Sequence, residues 1–399
     1  MSRLRPESLS MTLLLTALIA IGAMSINMTL PALPAMAEVF GVAGGIVLMT
    51  VALFSFGFAV GQLFYGAVSD RFGRRPVLLV GTLLYTATSL ACYLAPNIET
   101  LIIARLLQGL AAASAQVLAR AIVRDIYTPN EAAKVLSLIA AVFTITPAFA
   151  PLIGGVLQAW LGWRSIFAVL TGFSTILVLA VFFGLNESLK RLDPEALRPT
   201  RLMTNTAALL KNRTFLGYTL VFSAVFAAMF GFHSGSSFVF IKLLGYGPEA
   251  YGVLFMTVIG GYLVGTVLSM KITLTIGYQR LVWIGMMICL CASATMLALT
   301  LLAPLGVLIL IIPQFIFMIG VGLALPNSLA GAMAPFPDKA GSSAALIGFF
   351  QQASGGAMVA SLGALSTDSA VPMVACVFSG TVIAVLALIV IVPRTPSGA

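Results

Sequence analysis

Only two groups that could bind an ion or move a proton fall in the middle of long apolar runs of this chain, Arg105 and His233. An arginine inside an apolar helix costs several kcal/mol unless it meets a partner or faces a water-filled cavity. Arg105 is therefore either a structural cross-link or a functional group of such a cavity. His233, next to Ser234 and Ser236, is either a hydrogen-bonded packing residue or a proton carrier that titrates near neutrality. The twelve acids avoid these runs. Glu7, Asp70, Asp125, Glu131, Glu187, Asp193, Glu195 and Asp338 fall in one set of loops and helix ends, and Glu38, Glu99, Glu249 and Asp368 in the other. No nucleophile, base and acid come together, which argues against an enzyme. Cys92, Cys289, Cys291 and Cys376 sit singly in apolar stretches without ligand spacing, so no metal site, disulfide framework or cofactor is expected.

The elements that must position these groups are membrane helices. The chain is 60% hydrophobic and 8% charged, and apolar stretches of spanning length recur along all of it. Twelve spans are expected, roughly 11–35, 46–67, 77–95, 99–122, 134–158, 164–186, 214–240, 250–271, 281–302, 305–330, 341–365 and 372–393. The first, with Arg3 and Arg5 ahead of it and Ala35-Met36-Ala37 behind, has the layout of a cleaved leader, but an even set of spans needs it. The net charge of +9 does not point to nucleic acid. Of the 21 Lys and Arg residues, all but Arg105, Arg164 and Lys242 fall on one side of the alternating loops, which places both termini in the cytoplasm. The longest polar stretch divides the spans six and six, giving a first bundle (1–186), a cytoplasmic linker (187–213) and a second bundle (214–399). Gly265 and Gly277 repeat Gly61 and Gly73 at the same spacing, as expected of two related halves around a midplane cavity.

Several motifs sharpen this expectation. GAVSDRFGRR, which carries Gly66, Asp70 and Arg74, resembles the loop between the second and third helices of major facilitator superfamily transporters. LIIARLLQGLAAA resembles that family's Arg-x-x-Gln-Gly motif, whose arginine is tied to proton coupling. Pro147 and the stretch APLIGG, with Pro151, Gly154 and Gly155, resemble the Gly-Pro-x-x-Gly-Gly motif of its twelve-helix drug:proton antiporters. SINMTLPALP, ALPNSLAGAM and AGSSAALIGFFQQ resemble the bicyclomycin and chloramphenicol resistance exporters. The resemblance implies an all-α fold of two pseudo-symmetric six-helix bundles, a monomer in the bacterial inner membrane, and multidrug or other small-molecule efflux by alternating access. It also implies that Asp70 caps the helix beginning near Gly341 and Ser342, and that Arg74 pairs with Asp125. Both contacts would be latches of the outward-open state.

One departure matters. Asn27 stands where those exporters carry an acid, and an amide cannot exchange a proton near neutral pH. Coupling then runs through another group, with Arg105 and His233 as candidates, or the substitution was introduced to trap one state, or the protein is an uncoupled facilitator or importer of the same fold. Met24, Met28, Phe54, Phe143, Phe230, Met256 and Phe349 are candidate cavity liners, because Met adapts its shape and aromatics stack on planar ligands. Gln116, Asn327, Gln351 and Gln352 offer neutral hydrogen bonds. With no acid in the membrane to meet a cation, the expected substrate is a neutral or weakly anionic amphipathic compound.

Overall fold

The computed structural model describes residues 8–365 and 368–392, apart from the side chains at 129, 133, 140–144, 199, 201 and 202. Arg3, Arg5, Glu7 and Arg394, and the side chain of Phe143, lie outside what is described. The first half holds α1 (Leu9–Asn27), α2 (Leu33–Phe40), α3 (Gly44–Phe72), α4 (Arg74–Leu94), α5 (Ile98–Ile126), α6 (Pro129–Leu161) and α7 (Arg164–Gly184). The second half follows a short α8 (Pro199–Lys211), with α9 (Arg213–Ser237), α10 (Pro248–Ile276), α11 (Tyr278–Leu302), α12 (Val307–Met333), α13 (Ala340–Ala364) and α14 (Val371–Val390). Among the described residues ten helical stretches are long and apolar enough to span a membrane, the first being Leu9–Phe40. Two further long helices are α6, apolar from Val135 onward in sequence, and α13, rich in Gly, Ser and Gln.

The expected spans need two corrections of outline. The first is not one smooth helix. Asn27 ends α1, and a short 3-10 turn over Leu30–Ala32 leads into α2. Pro31 and Pro34 lack the backbone N–H that a continuous helix would need there. The helix starting at Arg213 likewise ends in a wide π turn, Phe238–Leu243.

The glycine repeat has a structural counterpart. Gly61 seats α3 against Ala113 and the Leu110 carbonyl of α5, and Gly265 seats α10 against Ile319 and Gly322 of α12. Gly73 and Gly277 then end those helices at φ 97° and 86°, a region that side chains other than glycine rarely adopt.

The two halves meet along α3–α13 and α6–α10, and the closeness of contact changes with depth. A Cβ on Gly45 would collide with the Gly363 carbonyl, and one on Gly155 with the Pro248 carbonyl. One on Gly252 would meet the Leu152 backbone at 2.6 Å, and one on Gly356 the Ala52 carbonyl at 2.9 Å. Midway, Gln62 lies directly over Gly348. Nearer the end bearing the Arg74 loop the contact stops, and nothing stands within 4 Å of a Cβ placed on Gly66 or Gly341. The halves are thus sealed backbone to backbone at one end and parted at the basic end.

Candidate functional site

Arg105 is 1% exposed and sits between helices of the first half. Its Nη1 donates to the Gln108 Oε1 at 2.7 Å and the Ser25 carbonyl at 3.2 Å, and Nε donates to the Thr50 carbonyl at 3.4 Å. The guanidinium lies 4.3 Å from the centre of the Phe54 ring. Gln108 in turn donates to Ser89 Oγ at 2.7 Å, and the Ser25 hydroxyl bonds to Tyr85. One side chain therefore connects α1, α3 and α5 directly, and α4 through Gln108. Among the described residues no carboxylate neutralises it, and Nη2 finds no partner. Polar carbonyls and a ring face replace part of the lost hydration.

Asn27 is buried at the end of α1. Its Nδ2 donates to the Ala23 carbonyl at 2.8 Å, while Oδ1 has no partner. His233 is buried too, its ring edge-on to Phe255 at 4.7 Å and its Nε2 unpartnered. Among the proposed liners, Met28, Phe54, Phe230, Asn327 and Gln352 are buried, whereas Met24, Gln116, Met256, Phe349 and Gln351 are half-buried. Phe54 packs under Arg105, Phe230 stacks on Phe226, and Asn327 donates to Ser269 Oγ and the Leu323 carbonyl, both at 2.7 Å.

At the basic end, Arg74 holds Asp70 at 2.6 Å through Nη1 and Asp125 at 3.0 Å through Nε. The contact expected between Asp70 and the start of α13 is not formed. Among the described residues no hydrogen bond or ion pair joins Asp70 to Gly341 or Ser342, and the Ser342 hydroxyl donates to the Lys339 carbonyl instead. The reason is the parting of the halves at this end. The role expected of Gly66 needs the same correction, since its surroundings are open and the tight helix contact lies at Gly61. Pro151 and Gly154 belong to the sealed end. The Pro151 carbonyl approaches Gly252, and a Cβ on Gly154 would collide with the Met28 carbonyl. Pro147, a turn earlier, is half-buried.

Glu187 was not expected to take part. It reaches from the linker to the first turn of α4, where Oε1 accepts from the Arg74 N–H at 3.0 Å and Oε2 from the Arg75 N–H at 3.1 Å. The Ser188 and Leu189 N–H groups donate to the same Oε1, and the Ser188 hydroxyl donates to Asp125 at 3.1 Å. The acid thus satisfies free N–H groups where the helix dipole favours negative charge. The open helix start after Gly73 was visible in the sequence, but not which acid would fill it. Glu187→Ala is expected to speed amide exchange at Arg74 and Arg75 and to cost about 0.3–1 kcal/mol, toward the low end because the carboxylate is exposed. Unchanged protection at these two amides would mean that water replaces the carboxylate without loss.

Paired six-helix halves, glycine seams between them and a buried arginine in place of reactive groups define a secondary transporter. The chain belongs to the Major Facilitator Superfamily, whose sequence profile matches residues 15–360. It is 34% identical to the uncharacterized MFS-type transporter YdgK of Bacillus subtilis (strain 168), over 96% of this chain and 95% of that one. It is 30% identical to multidrug resistance protein D of Escherichia coli (strain K12), over 90% of each. Among solved structures, a D-xylose-proton symporter shares the fold with a TM-score of 0.74 at 16% identity, covering 96% of this chain and 98% of the other.

Proposed function

We propose that this transporter exports small amphipathic molecules, neutral or weakly anionic, across the bacterial inner membrane by alternating access. Residues 1–186 and 214–399 are the moving halves, 187–213 joins them, and both termini face the cytoplasm. With the basic end cytoplasmic, the parted side opens inward, the state in which a substrate bound for export enters. The observation that carries the reading is the use of the Pro151–Gly155 segment as outer seal. Gly154 and Gly155 press against the backbone at Met28 and Pro248, so the exporter-like motif supplies the surface that must part for release. The test is uptake of chloramphenicol, a neutral amphipath, and of dansylglycine, an anionic one, into energised inside-out vesicles. Accumulation of either above equilibrium supports export, and absence of both in active vesicles sinks it.

A second reading, an uncoupled facilitator, is favoured by Asn27, because the first-half network holds no proton-exchanging carboxylate. Asn27→Asp is expected to add a pH dependence to transport that the parent lacks, because the acid's second oxygen takes the place of the Nδ2 that donates to the Ala23 carbonyl and can keep that bond only while protonated. Identical pH profiles for parent and variant, measured as substrate-driven proton movement in proteoliposomes, would remove this position from the coupling argument.

A further inference from the structure

Two arginines on α5 remain without a role. Arg120 and Arg124 are exposed, and among the described residues neither forms a hydrogen bond or an ion pair. The acids near them are already engaged, Asp125 by Arg74 and Ser188, and Glu131 by the backbone and hydroxyl of Thr128. Their direction follows from the helix. Arg105, Gly109, Ala112, Gln116 and Arg120 succeed one another at spacings of three and four, which makes them one stripe. At its sealed end this stripe looks between α1 and α3, since Arg105 bonds the carbonyls of Ser25 and Thr50. Along the stripe burial falls away: Arg105, Gly109 and Ala112 are buried, Gln116 is half-buried and Arg120 is exposed. Both α1 and α3 border the second half, α3 packing against α13 through Gly45, Ala52 and Gln62, and the turn that follows α1 (Leu30–Ala32) packing against α9 and α10. The change in burial follows the parting of the halves. Arg120 therefore borders the space between them rather than lipid.

Topology alone does not account for Arg120. Arg71 and Arg75 flank the end of α3 and the start of α4, whereas Arg120 lies about 9 Å inside the end of α5 at 1.5 Å per residue. Two adjacent turns bring two guanidinium groups together with no anion to compensate, an arrangement that repels itself until an anion arrives. Gln116, one turn deeper and half-buried, adds a neutral donor.

We propose that Gln116, Arg120 and Arg124 form an entry site for the anionic group, a carboxylate or similar oxyanion, of an amphipathic substrate. The inference rests on the transporter reading above and narrows its substrate class from neutral or weakly anionic to anionic. The apolar part of such a molecule then points inward along the stripe, while the charge stays at the basic mouth.

The test uses the full-length protein in nanodiscs of zwitterionic lipid, with dansylglycine as anionic probe and its uncharged amide as matched control. The parent should bind dansylglycine at least tenfold more tightly than the amide. Arg120→Gln should weaken dansylglycine roughly tenfold and leave the amide unchanged, Arg124→Gln should do the same to a smaller degree, and Arg120→Lys should retain most of the preference. Raising the salt concentration should erase the preference in the parent and change little in Arg120→Gln. Equal loss for both probes, an unchanged ratio in Arg120→Gln, or no binding of dansylglycine to the parent overturns the proposal. Failure of both probes in the vesicle test with the anion preference intact would instead remove export and leave the anion site standing.

Discussion

Arg105→Ala is expected to reduce transport at least a hundredfold while leaving folded protein in the membrane. The side chain holds the carbonyls of Ser25 on α1 and Thr50 on α3 from its place on α5, and its bond to Gln108 extends the tie to Ser89 on α4. Each charge-assisted bond of this kind is worth about 1.5–3 kcal/mol, and 1.4 kcal/mol is a factor of ten. The loss is expected to fall on transport more than on folding for two reasons. The bonded carbonyls belong to helices that keep their own ladders, and Nη2 has no partner to lose. Arg105→Lys should rescue only part of the activity, because an ammonium cannot span two helices and a glutamine as a planar fork does. The measurement is vesicle transport at matched expression, alongside unfolding midpoints for the three proteins. Parental transport from the Ala variant would reduce Arg105 to a packing residue.

Gly155→Val is expected to hold the outer side open and to stop turnover. Even a single methyl group at this position would collide with the carbonyl of Pro248. A backbone carbonyl at a helix start cannot rotate away like the tip of a side chain, so α6 and α10 must separate. Overpacking of this kind typically costs about 1–3 kcal/mol. That is enough to change the ratio of sealed to open forms roughly tenfold or more. At the other seam of the sealed end, where Gly45 of α3 meets Gly363 of α13, lies a cavity of about 600 Å³ lined by Glu38, Met49, Lys242 and Asp368, among others. Separation of the halves at α6–α10 is expected to loosen it too. A cysteine introduced as Met49→Cys should therefore react faster with a membrane-impermeant thiol reagent in Gly155→Val than in the parent. Cys291, the exposed one of the four cysteines, lies midway along the apolar helix α11 and would be replaced first to leave a clean background. Equal labelling rates with normal transport would mean that the seam tolerates the extra volume.

Much of the architecture was legible because it depends on composition and short periods. Apolar length set the number of spans, loop charge suggested their orientation, and the paired glycines at 61 and 73, and at 265 and 277, pointed to repetition. The pairing of Arg74 with Asp125 followed from a recognisable motif. The remaining features depend on distances that no local pattern encodes. Glu187 caps a helix that starts more than a hundred positions earlier in the chain, and a linker acid looks like any other until the chain folds back. Gly66 and Gly61 are interchangeable on paper, since both face helix partners at plausible spacing. Which of them is in contact depends on how far the halves have parted at that depth. For the same reason the contact of Asp70 with Gly341 was expected but not found, since the halves are parted at that depth. Arg105 was visible as an anomaly, but its neighbours on α1 and α3 could only come from three-dimensional packing.

The hydrogen bonds made by Glu187 and Ser188, together with the Asp193 N–H donating to the Asp70 carbonyl at 2.9 Å, fasten the start of the linker to the first half. At its other end α8 packs against α9 and α13. Only about five residues, 194–198, then remain as a leash, and drawn out fully they reach roughly 17 Å. At rest that leash is coiled into two turns, closed by the Ala196 N–H on the Asp193 carbonyl and the Arg198 N–H on the Glu195 carbonyl. On the alternating-access reading proposed above, the swing of the two halves at the basic end has a mechanical stop. Its length is written in a few residues of a segment that otherwise looks like filler.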